Sequence, residues 1–189
     1  MKKLLIRFIS LSFLVLLGSC GSQENKFVLT GNADVSDGTK IYVLQADQNN
    51  QPYIKDSTTV QSNNFKFQGI SSTPQISYIQ VEGVNGYVLA ILENGDIKAD
   101  LFKDSISKSK VYGTKSNDDF IKYKSETKFL VDDMNNISYE AQDAIMTGDV
   151  STAMELEKEY NSKEREVMLY EWDFIIDNLD SYMSALLLE

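Results

Sequence analysis

Tyr87-Val88-Leu89-Ala90-Ile91-Leu92, then Glu93-Asn94-Gly95, then Asp96-Ile97-Lys98-Ala99-Asp100-Leu101, decides the fold class. The first run is continuously apolar, the pattern of a central strand. Asn94-Gly95 is a strong signal for a hairpin turn. Ile97, Ala99 and Leu101 then alternate with Lys98, Asp100 and Phe102, the period of a strand with one face buried.

The same signals continue on both sides. Ile76, Tyr78, Gln80 and Glu82 alternate with Ser77, Ile79 and Val81, and Gly83 and Gly86 bracket a turn. Phe65 and Phe67 share one face of a strand with Lys66 and Gln68 on the other, after a tight turn at Ser62-Asn63-Asn64. Earlier come Tyr53-Ile54 with Asp56–Val60, a polar loop over 47–52, the β-rich run Ile41–Leu44, a hairpin-type turn at Asp37-Gly38, and Phe27 alternating with Leu29. Ser109–Gly113 reads as a last edge strand. Seven or eight short strands, mostly hairpin-linked, predict an antiparallel β-sandwich or open barrel over residues 26–115. The shared-face phenylalanines are expected in its core.

The hydrophobic period changes near Lys115. Ser116-Asn117-Asp118-Asp119 reads as a helix start, its acids suited to the positive end of the helix dipole. Phe120, Tyr123, Thr127, Leu130, Met134, Ile137, Ala141 and Ala144 recur at spacings of three and four, one stripe of a long helix. Gly148 ends it and Asp149 caps the next helix. Ala153, Leu156, Tyr160, Val167, Tyr170 and Phe174 form the second stripe, and so short a link makes the helices antiparallel neighbours. Asp180-Ser181 caps a final apolar segment, Tyr182 to Leu188, expected to bury itself on the hairpin. The class is therefore α+β: a β-domain, a long α-helical hairpin over 116–189 and a short C-terminal helix.

Net charge is −10 and changes along the chain with the period. Residues 21–115 hold nine Lys/Arg against ten Asp/Glu, whereas 116–189 hold six against eighteen. That balance argues against nucleic acid or an anionic lipid surface as a partner. The acids of the hairpin, such as Asp132, Asp133, Glu155 and Glu159, have no EF-hand spacing and read as a solvated face. The chain has no histidine and one cysteine, which excludes a Ser-His-Asp triad and histidine-ligated zinc, and no C-x-x-C is present. No metal or other cofactor is expected.

That one cysteine ends the first twenty residues. Lys2, Lys3 and Arg7 give a positive start, Leu4–Leu17 is almost wholly apolar, and the run from Phe8 to Leu17 is too short to span a bilayer comfortably. Leu17-Gly18-Ser19-Cys20 resembles a bacterial lipobox, in which cleavage between Ser19 and Cys20 frees a cysteine that carries lipid. Residues 1–19 are then a signal peptide, Cys20 is the acylated residue and 20–25 form a tether. An incidental cysteine after an ordinary signal peptide is the alternative. Each buried acyl methylene contributes about 0.8 kcal/mol, so several chains anchor a protein without a transmembrane helix. The expected place is the cell envelope, on the outer membrane, facing the periplasm or the cell surface.

Phe27-x-Leu29-x-Gly31, then Asp56-Ser57-Thr58 with Asn64-Phe65-Lys66-Phe67-Gln68-Gly69, then Val111-x-Gly113-x-x-Ser116-Asn117, resemble an uncharacterised domain of Bacteroidetes lipoproteins. The helical pair and Asp180-Ser181-x-x-Ser184 look like that family's linker region. The resemblance implies a neighbourhood ahead of a thioredoxin-like domain in thiol–disulfide interchange proteins. It carries no redox residue onto this chain, and Asn64 stands where glycine is commoner. Asp56-Ser57-Thr58 and Asp104-Ser105-Ile106 also look like the O-glycosylation acceptor pattern of these bacteria, with Ser57 and Ser105 as acceptors; two surface turns are the simpler reading.

Three functions compete. The first is a non-catalytic binding or accessory lipoprotein, anchored in the bilayer through Cys20 and serving a periplasmic or outer-membrane protein partner or ligand. The second is a truncated or split thiol–disulfide interchange protein lacking its catalytic domain. The third is a carboxylate hydrolase using Glu82, Glu93 or Asp96, which requires two acids converging in one cleft.

Overall fold

A computed structural model describes residues 26–188; Ser19, Cys20 and the tether to Asn25 lie outside them. Eight strands form two four-stranded sheets, followed by two long helices and a short one. The strands are β1 (Lys26–Ala33), β2 (Lys40–Ala46), β3 (Pro52–Thr59), β4 (Asn64–Ile70), β5 (Gln75–Val81), β6 (Val88–Leu92), β7 (Gly95–Leu101) and β8 (Lys110–Tyr112). One sheet has the order β4-β1-β7-β8 and the other β3-β2-β5-β6. Their apolar faces make one core, with Leu29, Ile97 and Phe67 from the first sheet and Ile41, Ile79 and Ala90 from the second. This is the expected sandwich with the expected number of strands. One pair departs from the antiparallel expectation: β1 and β7 run parallel, Leu29 opposite Ile97.

The strongest turn signals mark turns, but not hairpins within a sheet. Asp37-Gly38 leads from β1 to β2, Ser62-Asn63 from β3 to β4, and Asn94-Gly95 from β6 to β7; each link carries the chain from one sheet to the other. Ser62 and Asn63 have φ of 50° and 62°, and Gln61 and Asn64 exchange both backbone hydrogen bonds, so that turn is as tight as expected. The true hairpins use the other loops. Asp47 closes the β2–β3 loop by accepting from Asn49 and Gln51 N–H, both at 2.8 Å.

The core also explains two glycines. In the β1–β4 register Phe27 lies opposite Gly69, and Gly31 lies opposite Phe65. Each phenylalanine ring covers the glycine across from it, where no Cβ stands in the way. A Cβ on Gly31 would fall 2.3 Å from the Phe65 ring and 2.7 Å from the Ala99 carbonyl oxygen. A Cβ on Gly69 would meet only the Phe27 ring, at 2.7 Å.

Helix α1 (Lys115–Thr147) and helix α2 (Val150–Asp177) form the hairpin. At 1.5 Å per residue the first is about 50 Å long. Gly148 takes the left-handed conformation, φ 77°, and Asp149 accepts from Thr152 N–H, as the sequence predicts. The interface holds Thr127, Ile137, Ala144 and Phe174 buried. Two tyrosine–glutamate pairs cross it in opposite senses: Tyr123 hydroxyl donates to Glu171, and Tyr170 hydroxyl donates to Glu126. Helix α3 (Tyr182–Leu187) closes the open end of the hairpin, with Met183 and Ser184 buried. The Ser181 hydroxyl before it donates to Asp119 of α1 at 2.5 Å.

The outer face of the hairpin is less polar than expected. Met168, Leu169, Trp172 and Ile176 form a second apolar stripe on α2, each about half exposed or more. Among the described residues, no helix is long and apolar enough to cross a membrane.

Gly31→Ala is expected to destabilise the fold by about 2–3 kcal/mol, because both a ring and a backbone oxygen must move. Gly69→Ala should cost clearly less, since one side chain can yield; chemical denaturation orders the two. A second expectation concerns alkali. Burial first, and then the facing carboxylate, push the Tyr123 and Tyr170 hydroxyls above the ordinary phenol value of 10.0. The folded state holds these protons more tightly than the unfolded state does. The stability they contribute is therefore complete below about pH 10 and is lost as pH rises through their folded values. Phenolate absorbance should show two of the ten tyrosines titrating last, together with loosening of the hairpin.

Candidate ligand-binding cleft

The site begins at the joint between sandwich and hairpin. Strand β6 is an edge strand, so its outer backbone groups need partners. Asn117, in the first turn of α1, supplies them. Its side-chain oxygen accepts from Ile91 N–H at 2.9 Å, and its nitrogen donates to Ile91 C=O at 2.8 Å. The amide thus pairs with the strand as a neighbouring peptide unit would. The same nitrogen donates to the Thr114 hydroxyl at 2.8 Å. Asn117 is 1% exposed, so these bonds are made away from water.

Glu93 holds the adjacent residue. Its carboxylate accepts from Ser116 N–H at 2.8 Å and from the Ser116 hydroxyl at 2.6 Å. A helix leaves its first N–H groups without internal partners, and a carboxylate there is favoured by both hydrogen bonding and the dipole. Gly113, φ 99°, turns the chain out of β8, and its N–H donates to Asp118 at 2.9 Å. Ser116, Asn117 and Gly113 therefore act at the joint rather than in chemistry.

The joint also explains the run 87–92. Val88, Ala90 and Leu92 enter the sandwich core, while Ile91 is fully buried outside that cluster. The strand is apolar on both faces because it is covered on both faces, although it lies at an edge rather than in the centre of its sheet.

Beyond the joint, α1 and the sandwich enclose a cleft of about 720 Å³. One wall is Tyr78 and Leu89 on β5 and β6, with Tyr87 at the mouth, where its ring packs edge-on to Tyr78 at 5.1 Å. Phe102, Ile106 and Val111 come from the β7–β8 region, and Phe120 and Ile121 come from α1. Four lysines line it: Lys108, Lys110, Lys124 and Lys128. The chain carries 28 acidic residues, yet among the described residues no acid lines this cleft. Lys128 pairs with Asp132, one turn along the helix. Lys108, Lys110 and Lys124 take part in no ion pair among the described residues.

The residues singled out from sequence lie elsewhere. Glu82 accepts from Lys40 N–H and from the Tyr42 hydroxyl, both at 3.3 Å. Glu93 is committed to Ser116, and Asp96 sits on β7 in the other sheet. None of the three lines the cleft. Ser57 is exposed on the edge strand β3, not in a turn, and Ser105 precedes the single-turn 3-10 helix Ile106–Lys108. Among the described residues, no cluster of acids or other ligands is arranged to hold a metal. The cleft itself was missed from sequence. Lys124 and Lys128, four apart on one helix, and Lys108 and Lys110, two apart before a strand, were the available signals.

Residues 27–120 match the family described as Domain of unknown function (DUF4369). The match runs from Phe27 to the first turns of α1 and so takes in the sandwich and the joint. No curated protein and no solved structure matches the chain.

Replacing Asn117 by alanine is expected to cost about 2–4 kcal/mol, because Ile91 N–H and C=O lose their partners while remaining buried. Asn117→Leu should be no better, since the loss is polar. Hydrogen exchange of the Ile91 amide should accelerate in both variants while β2 stays protected; unchanged exchange at Ile91 would show that the amide pair is not what holds this edge.

Proposed function

We propose that this protein is a membrane-anchored lipoprotein with a non-catalytic binding role in the cell envelope. The cleft between the sandwich and α1 carries the binding half of the reading. It is concave, of small-molecule size, walled by apolar and aromatic side chains, and edged by lysines and serines. The anchoring half rests on the lipobox-like run that ends at Cys20, the chain's only cysteine.

Composition supports binding over turnover. The chain has no histidine to act as a general base, and lipid would consume its one thiol. Serines and lysines both line the cleft, but among the described residues no cleft serine hydroxyl hydrogen-bonds to a lysine, so no nucleophile–base pair is formed there. The exposed stripe on α2 supports a protein partner for the hairpin.

Expressed in its own envelope and labelled with an alkyne fatty acid, the protein should carry label and sediment with membranes. Cys20→Ser should do neither. The unmodified thiol recovered intact by mass spectrometry would overturn anchoring. For binding, the protein should recover the same small molecule from solubilised envelope in replicate, and Leu89→Asp should lose it. Repeated recovery of nothing would count against the reading.

A further inference from the structure

We propose that the cleft takes a small amphipathic organic anion, an apolar ring or chain bearing one terminal acid group. This rests on reading the protein as a binding module, and it names what is bound.

Three observations select that chemistry. The first is size. About 720 Å³ is far more than an inorganic anion fills and lies within the usual 300–1,000 Å³ of small-molecule sites. The second is the floor. Leu89, Phe102, Ile106 and Ile121 present apolar surface that an ion alone would leave wet. Phe102 stays 45% exposed and Tyr87 63%, so aromatic area is still available at the mouth.

The third is charge. Acidic residues outnumber basic ones by ten in the whole chain, yet the charged residues that line the cleft are all lysines, beside Ser107, Ser109 and Ser125. Lys108 and Lys124 have no ion pair among the described residues, and Lys110 lies opposite Asp100 in the β7–β8 register without closing one. Each projects from a different place: Lys108 from the 3-10 turn, Lys110 from β8 and Lys124 from α1. All of these side chains are exposed, so the attraction they offer an anion is screened by salt, and the apolar wall supplies the rest of the contact. Lysine suits this use, because its flexible stem and point charge accept an acid group in several poses.

The wider surface argues against a larger anionic partner. The chain is acidic overall and its hairpin strongly so, which disfavours a bilayer rich in anionic headgroups or a nucleic acid across the wider surface. A small molecule can enter the local positive field without meeting the rest.

The test uses the full chain in phosphatidylcholine vesicles, with three probes: 1-naphthaleneacetate, its neutral amide, and acetate. Naphthaleneacetate is expected to bind at least about tenfold more tightly than the amide, with acetate showing no binding. The double variant Lys110→Gln/Lys124→Gln should lose roughly that tenfold for the anion and leave the amide unchanged. Raising salt from about 50 mM to about 500 mM should weaken only the anion. Near-ultraviolet circular dichroism checks that each variant is folded.

Equal binding of acid and amide, unchanged in the lysine variant, would overturn the anion while leaving the protein a binding module. Failure of every probe to bind at millimolar concentration would overturn the cleft as the site. Displacement of naphthaleneacetate by phosphatidylglycerol vesicles, but not by free dodecanoate, would assign the lysines to a membrane surface and end the proposal.

Discussion

One side-chain amide holds the two halves of this protein in register. Asn117 forms a two-bond pair with the backbone of Ile91 and so occupies the edge that β6 would otherwise leave open. A sheet edge can be covered in many ways, and most of them leave the covering element free to slide. A bidentate amide does not, because both bonds fix the same residue of the helix against the same residue of the strand. Glu93, two residues further along the chain, then receives the helix start through Ser116. The direction of α1 follows from these contacts. So does the cleft, since the next turns of α1 supply Phe120, Ile121, Lys124 and Lys128 as one of its walls.

The sandwich has its own constraint of the same kind. Phe27 over Gly69 and Phe65 over Gly31 are two reciprocal pairs on a single antiparallel ladder. Shifting β1 by one residue would put a Cβ under each ring and turn every core side chain outward. Glycine costs backbone entropy in a strand, and here the covering rings offset it with packing that no larger residue would permit. The residues that carry the family resemblance in β1 and β4 are thus explained by register, and those after β8 by the joint.

How much could be read in the chain depended on how local each cause was. Strand alternation, the two helix stripes, Gly148 and Asp149 act over a few residues, and the elements they predict are the elements observed. Turn chemistry is local too: Ser62 and Asn63 required a left-handed turn, and the structure has one. Which strand a turn leads to is a different matter, because Asn94-Gly95 reverses the chain equally well within a sheet or between two. The apolar run at 87–92 was ambiguous for the same reason. Period reveals that both faces are covered, but not whether a strand or a helix provides the cover. The cleft was least readable of all, since its lysines belong to three elements whose meeting depends on Asn117.

Several charges of this chain are tied into the fold by ion pairs. Lys115 faces Asp119 and Asp180, Lys163 faces Asp133, and Lys103 faces Asp104. Glutamates at the hairpin interface are likewise engaged, Glu171 by Tyr123 and Glu126 by Tyr170. Where charge serves the fold, it has a partner within the fold. Lys108, Lys110 and Lys124 have no ion pair among the described residues, as is also true of Lys66, Lys98, Lys122 and Lys158, but these three line the apolar cleft. The ligand proposed for the cleft, an acid group on an apolar body, answers both features of its lining, the lysines and the apolar wall.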